Sequence, residues 1–98
     1  MKNGVALIAD ERQRQIEAEG WTPAHDDGHG NGELANAAAC YAIEPSMRRR
    51  ATVRCGDLVD LLWPWERAWW NPSPDYRVLE LAKAGALIAA EIDRLQRL

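Results

Sequence analysis

The sequence predicts an all-α fold, a compact bundle of three to four helices in a single domain spanning residues 1–98. Three observations carry this expectation. Residues 74–97 set Val78, Leu81, Gly85, Ile88, Ile92 and Leu95 at spacings of 3, 4, 3, 4 and 3, a heptad-like seam on a long C-terminal helix. Residues 4–19 (GVALIADERQRQIEAE) carry a second helical stripe. No β signal competes with either pattern. The length, 98 residues, suits one domain with a thin core. Part of its apolar surface is then expected to be covered by self-association, as a homo-oligomer.

The elements follow in order. In residues 4–19, Val5, Ile8, Arg12 and Ile16 fall on one stripe, and Gly20 sits where a helix stop belongs. Residues 20–32 (GWTPAHDDGHGNG) hold four glycines and a proline, and they read as a loop that carries both histidines. Residues 33–43 (ELANAAACYAI) read as an alanine-rich helix whose small side chains allow a neighbour to approach closely. Pro45 ends it. Residues 44–62 have two readings: a helix capped by Ser46 and interrupted by Gly56, or an irregular excursion. Pro64 suits the first turn of a short helix holding Trp65 to Trp70. After Asn71-Pro72, Ser73 is expected to cap the last helix, with Pro74 in its first position and Asp75 at the positive end of its dipole. Gly85 costs helix stability in that seam, so a close helix crossing is expected there.

Charge and cysteine content exclude several classes. The net charge is −3, which argues against general nucleic-acid binding. The charge is uneven: residues 48–98 hold nine bases against seven acids, with Arg48, Arg49, Arg50 and Arg54 close together. Such a block could meet phosphates or the acidic half of a second copy. Two cysteines, Cys40 and Cys55, are too few for a disulfide framework or a Cys-only zinc site. With no signal peptide and no apolar run near the length of a membrane span, the expectation is a cytoplasmic protein that makes no membrane contact.

Five tryptophans and no phenylalanine stand out in so short a chain. Indoles offer a broad π-face and one N–H donor, which suit interfaces and planar ligands as well as cores. Trp21 lies between a Glu-Arg-x-Arg-Gln helix and a His-Asp-Asp loop, where a planar ligand finds stacking and hydrogen bonds together. Trp63 and Trp65 flank a proline and are expected to pack a helix entry. Adjacent residues on a helix cannot both face the core, so one of Trp69 and Trp70 is expected to be exposed.

Two polar constellations accompany them. His25, Asp26, Asp27, His29 and Glu33 could bind a divalent cation, could form a capped loop in which Asp27 or Asn31 caps the next helix, or could hydrogen-bond a ligand's ribose or base. Glu11, Arg14 and Gln15 could hold a phosphate and a base edge beside Trp21, or could be a solvated helix face. Nucleophilic catalysis has no support: Ser46 and Ser73 lie in proline-flanked turns, and Cys40 has apolar neighbours on a helix. The candidate ligand-binding residues are therefore Glu11, Arg14, Gln15, Trp21, His25, Asp26, Asp27, His29, Glu33, Trp69 and Trp70.

The pattern Glu11-Arg12-x-Arg14-Gln15, Gly20-Trp21-Thr22, His25-Asp26-Asp27, His29, Gly32-Glu33-Leu34-Ala35, Trp63-Pro64-Trp65, Trp69-Trp70 and Lys83-Ala84-Gly85-Ala86-Leu87-Ile88 resembles a family of small proteins encoded by phages and prophages. The resemblance covers most of the chain except 44–60. The chain is also distantly similar to MazG-type proteins, all-α nucleotide pyrophosphohydrolases that hold magnesium with paired carboxylates in Glu-Glu-x-x-Glu and Glu-x-x-Asp runs. It departs from them at those runs. Glu33 is followed by Leu34, Ala35 and Asn36, Glu80 by Lys83 three residues on, and Glu91 and Asp93 are spaced wrongly. Without several carboxylates, two-metal phosphoryl chemistry lacks its charge clamp, so the similarity implies nucleotide binding more than hydrolysis.

Three functions are consistent with these residues. The first is a nucleotide-binding protein of phage origin that sequesters a small nucleotide, such as a host immune-signalling nucleotide, without turnover and without a cofactor. Trp21 or the Trp63–Trp70 cluster would stack on the base, while Arg14 and one of Arg48–Arg54 meet phosphates. The second is a Mg2+- or Mn2+-dependent pyrophosphohydrolase using His25, Asp26, Asp27, Glu33 and Glu80. The third is an inhibitor of a host enzyme that docks through its tryptophans.

Overall fold

The structure, a computed structural model, describes residues 1–50 and 56–98. The described residues are all-α. Helix α1 spans Gly4–Glu19, α2 Pro23–Asp27, α3 Glu33–Ala42, α4 Leu58–Leu62 and α5 Arg77–Gln96, with single 3-10 turns at Pro45–Arg49 and Arg67–Trp69. None of these helices is long and apolar enough to cross a membrane. Arg54 and Cys55 lie outside the described residues.

The long helices begin and end for local reasons. Asn3 caps α1, its side chain accepting from the Ala6 amide at 3.0 Å. Gly20 closes that helix in the left-handed region at φ 71°, which only glycine adopts freely. The segment expected to be all loop contains α2 instead. Thr22 caps it, its hydroxyl accepting from the His25 amide at 3.3 Å, and Pro23 opens its first turn. This cap-and-proline pair outweighs the glycines, which all fall outside the helix. Neither Asp27 nor Asn31 caps α3. Gly32 stands there at φ 83° with no side-chain bond.

The excursion between α3 and α5 corrects three expectations. Ser46 caps no helix: the Glu44 carboxylate accepts from the Ser46 amide at 2.9 Å and starts a single 3-10 turn. Residues Trp65–Trp70 do not form a continuous helix. The Trp63 indole donates to the Glu66 carbonyl at 3.0 Å, folding the chain back after Pro64, so that Trp63 and Trp70 both turn toward the core. Ser73 does not cap α5 either. Its carbonyl accepts from the Tyr76 amide at 2.8 Å in a turn, and the helix starts at Arg77.

The core lies between α3 and α5. Leu34 and Leu87 supply bulk, while Ala37, Ala38, Ala84 and Ala90 let the two helices approach closely. Val59, Trp63 and Tyr41 close one side. Helix α1 crosses α5 at Gly85, where a Cβ would stand 2.5 Å from Ile8 Cδ1. The remainder of the seam, Val78, Leu81, Ile88, Ile92 and Leu95, stays about half exposed.

Two buried ion-pair groups fasten the bundle. Glu80 is fully buried and accepts from Arg48 at 2.9 Å, Arg77 at 2.7 Å and the Ser73 amide at 2.9 Å. Burial pushes its carboxyl up, but the two guanidiniums and the amide outweigh burial and hold it below the ordinary carboxylate value. Arg48 and Arg77 also donate to the carbonyls of Cys40, Tyr41 and Ala42, which satisfies the C-terminal end of α3. At the opposite end, buried Asp26 pairs with Arg12 at 3.0 Å and ties α2 to α1.

Candidate functional site

An open cleft of about 1080 Å³ lies between α1, the α2 turn and the Trp63–Trp70 excursion. Its wall is a chain of aromatic rings. Trp21 stacks on His25 with centroids 5.7 Å apart and planes 5° from parallel. Trp21 also meets Trp65 at 6.1 Å. Trp65 meets His29 edge-on at 5.3 Å and Trp63 at 5.4 Å, almost perpendicular. Trp63 continues to Trp70 at 5.0 Å, and Trp70 to Tyr41 at 4.7 Å. Tilted and edge contacts of this kind fix each ring against its neighbours, and all of these indoles line the cleft. The Arg48 guanidinium lies over the Trp70 ring, 5.2 Å from its centroid, and helps hold it in place.

Beside His25, His29, Glu66 and Asn71, the polar lining comes from α1 and α5. Arg14 grips Glu11 with two bonds, 2.7 Å and 2.8 Å, and reaches Glu19 at 3.0 Å. Burial pushes the Glu11 carboxyl up, but Arg14, Gln15 and Lys83 together bring it below its ordinary value. The Arg14 guanidinium is held more firmly protonated than usual, chiefly by its bonds to Glu11. Gln15 is 2% exposed. Its amide nitrogen donates to Glu11 at 3.2 Å, and its Oε1 is buried with no partner. Lys83 sits 5.3 Å from the Tyr41 ring centroid and donates to the Asn71 carbonyl at 3.4 Å.

Of the residues expected from sequence, Glu11, Arg14, Gln15, Trp21, His25, His29, Trp69 and Trp70 line this cleft. Trp69 is the exposed member of its pair, at 72%. Asp26, Asp27 and Glu33 do not line it. Asp26 is buried against Arg12, Asp27 binds Arg97 at 2.7 Å on the surface, and Glu33 accepts from the Asn31 amide at 2.6 Å and pairs with His29 at 3.0 Å. His25 and His29 do converge, their Nε2 atoms 3.4 Å apart, because α2 brings the spacing round. Their Nδ1 atoms face Asp26 and Glu33 respectively. These groups form a chain, and among the described residues no three His, Cys, Asp or Glu side chains are grouped to hold a metal ion.

Sequence reasoning missed Tyr41 and Lys83. Trp65 packs against Trp63 and the core and also lines the cleft as part of the Trp63–Trp70 cluster. Trp63 packs more deeply, at 9% exposure, and lines the cleft as well. Lys83 had a signal: it is the one cation among the alanines of residues 82–90. The expected phosphate contact from the arginine block is corrected for Arg48, which is buried and committed to Glu80. The chain matches no family model, no curated protein and no solved structure.

Proposed function

We propose that this protein binds a small nucleotide in the aromatic cleft and sequesters it without turnover. The observation that carries the reading is the ring wall itself, Trp21–Trp65–Trp63–Trp70, standing beside the cations Arg14 and Lys83. A base has a π-face for indoles, and each stacked ring contributes roughly 1–3 kcal/mol. A phosphate suits a guanidinium and an ammonium. The cleft volume is ample for one nucleotide, since pockets for small ligands run about 300–1,000 Å³.

The carboxylates a metal-dependent hydrolysis would draw on support binding over turnover. Asp26, Asp27, Glu33 and Glu80 are each engaged with Arg12, Arg97, His29, or Arg48 and Arg77. The resemblance to phage and prophage proteins gives such a binder a role in the host cytoplasm, where it would remove a signalling nucleotide of host defence from solution.

Calorimetry against mono-, di- and cyclic nucleotides tests the reading. Binding at micromolar protein is expected, weakened about 5- to 100-fold by Trp65→Ala, with the nucleotide recovered intact after incubation with Mg2+ or Mn2+. Absence of binding across the panel would overturn it, and release of pyrophosphate would replace it with the hydrolase. A second reading, docking to a host enzyme, rests on the exposure of Trp69. Capture of one host protein, lost in Trp69→Ala with nucleotide binding unchanged, would select it.

A further inference from the structure

Gln15 Oε1 is a buried acceptor with no partner, on a side chain that lines the cleft. Its orientation is fixed. The amide nitrogen donates to Glu11, and turning the amide over would set oxygen against a carboxylate. A buried acceptor left unmade costs free energy, so the site is incomplete until a donor arrives there.

The neighbours define which donor fits. Glu11 lies between Arg14 and Gln15, bonded to both. Glu11 accepts three of these bonds, so its two oxygens retain room for another. Arg14 retains N–H groups beyond those used on Glu11 and Glu19. Across this hydrogen-bonded row, with Glu11 at its centre, the site therefore holds a donor from Arg14, an acceptor from Glu11 and an acceptor from Gln15. The complementary edge is an acceptor followed by two adjacent N–H donors. Guanine presents that order, a carbonyl oxygen, a ring N–H and an exocyclic amine. A uracil or thymine edge presents a carbonyl on each side of its single N–H, and one of them would oppose a carboxylate or the amide oxygen.

We propose that the cleft selects a guanine base, with Gln15 Oε1 accepting from its exocyclic amine. This rests on the nucleotide-binding reading and deepens it. Gln15 is a specificity residue here, distinct from the rings that supply the bulk of the affinity.

The test is a competition between guanosine and inosine monophosphates, which differ only in the exocyclic amine. On the unaltered 98-residue protein, guanosine monophosphate binds about tenfold more tightly, the effect of one well-placed hydrogen bond and one acceptor left unsatisfied. Uridine monophosphate binds more weakly than either. Gln15→Met keeps the volume, removes the acceptor and brings the guanosine-to-inosine ratio close to one. Equal binding of the two nucleotides by the unaltered protein overturns the guanine assignment and leaves nucleotide binding standing, whatever the stability of the variant. So does a Gln15→Met protein that folds and retains the tenfold preference. Failure of every nucleotide to bind overturns both proposals together.

Discussion

Removing the Glu80 carboxylate tests the reading of the buried network most sharply. In Glu80→Ala, Arg48 keeps its carbonyl partners but loses its counter-charge, and its side chain is only 8% exposed. A guanidinium left buried without its partner costs about 3–5 kcal/mol. A domain of this length has about 5–15 kcal/mol of stability in total, so at least a fifth of it disappears. At about 4–8 °C per kcal/mol, the melting temperature falls by more than about 10 °C. Urea unfolding followed by tryptophan fluorescence, with circular dichroism as a second probe, measures both quantities. The double variant Arg48→Met/Glu80→Leu removes the buried charges together and is expected to be more stable than Glu80→Ala alone. A loss below about 1 kcal/mol for Glu80→Ala, well short of the cost of an uncompensated buried charge, would show that Glu80 does not neutralise Arg48 as described.

Two further perturbations follow from the packing and the charges. Gly85→Ala gains about 1 kcal/mol of helix propensity but drives a methyl to 2.5 Å from Ile8, an overpacking that costs about 1–3 kcal/mol. The net effect in chemical denaturation is a loss, and Ile8→Ala is expected to relieve it in the double variant. Acid unfolding has a sign fixed by Glu80 and Glu11, both held below the ordinary carboxylate value of 4.5. Their stabilisation is complete above that pH and is lost as pH falls through the lower folded-state values. Glu80→Gln therefore flattens the acid limb of the stability curve, and an unchanged limb would contradict the assignment.

The fold was legible where one helix carries its own start and stop. Helix α1 with Gly20, the alanine-rich α3 and the length of α5 needed no tertiary information. The face of α5 that is buried was not legible. Its strong apolar repeat, Val78 to Leu95, stays half exposed apart from the crossing at Gly85. The inward face is alanine with Leu87, Glu80 and Arg94. Alanine is a weak signal in any hydrophobicity pattern, and a buried glutamate reads as surface until its arginines are located. Those arginines come from residues 48 and 77, far enough apart that only the folded chain joins them.

The site divides along the same line. Glu11, Gln15 and Trp21 were readable because they sit on one helix and its exit. The bend that carries Trp65 into the cleft wall was not readable, because it depends on one indole bond, Trp63 to the Glu66 carbonyl. The partner of Asp26 was not readable in the sequence, since Arg12 lies fourteen residues away. The histidine pair converges through α2, a five-residue helix whose Thr-Pro start was overshadowed by the glycines around it.

The central claim is that the indole wall of the cleft holds a nucleotide base. The five indole N–H groups give separate signals in a proton–nitrogen correlation spectrum, and titration with the nucleotide panel reads them directly. Saturable shifts are expected at Trp21, Trp65 and Trp70, with the amides of Val78, Ile88, Ile92 and Leu95 left in place. Indole signals that stay fixed at millimolar nucleotide, or shifts confined to the outer face of α5, would contradict it.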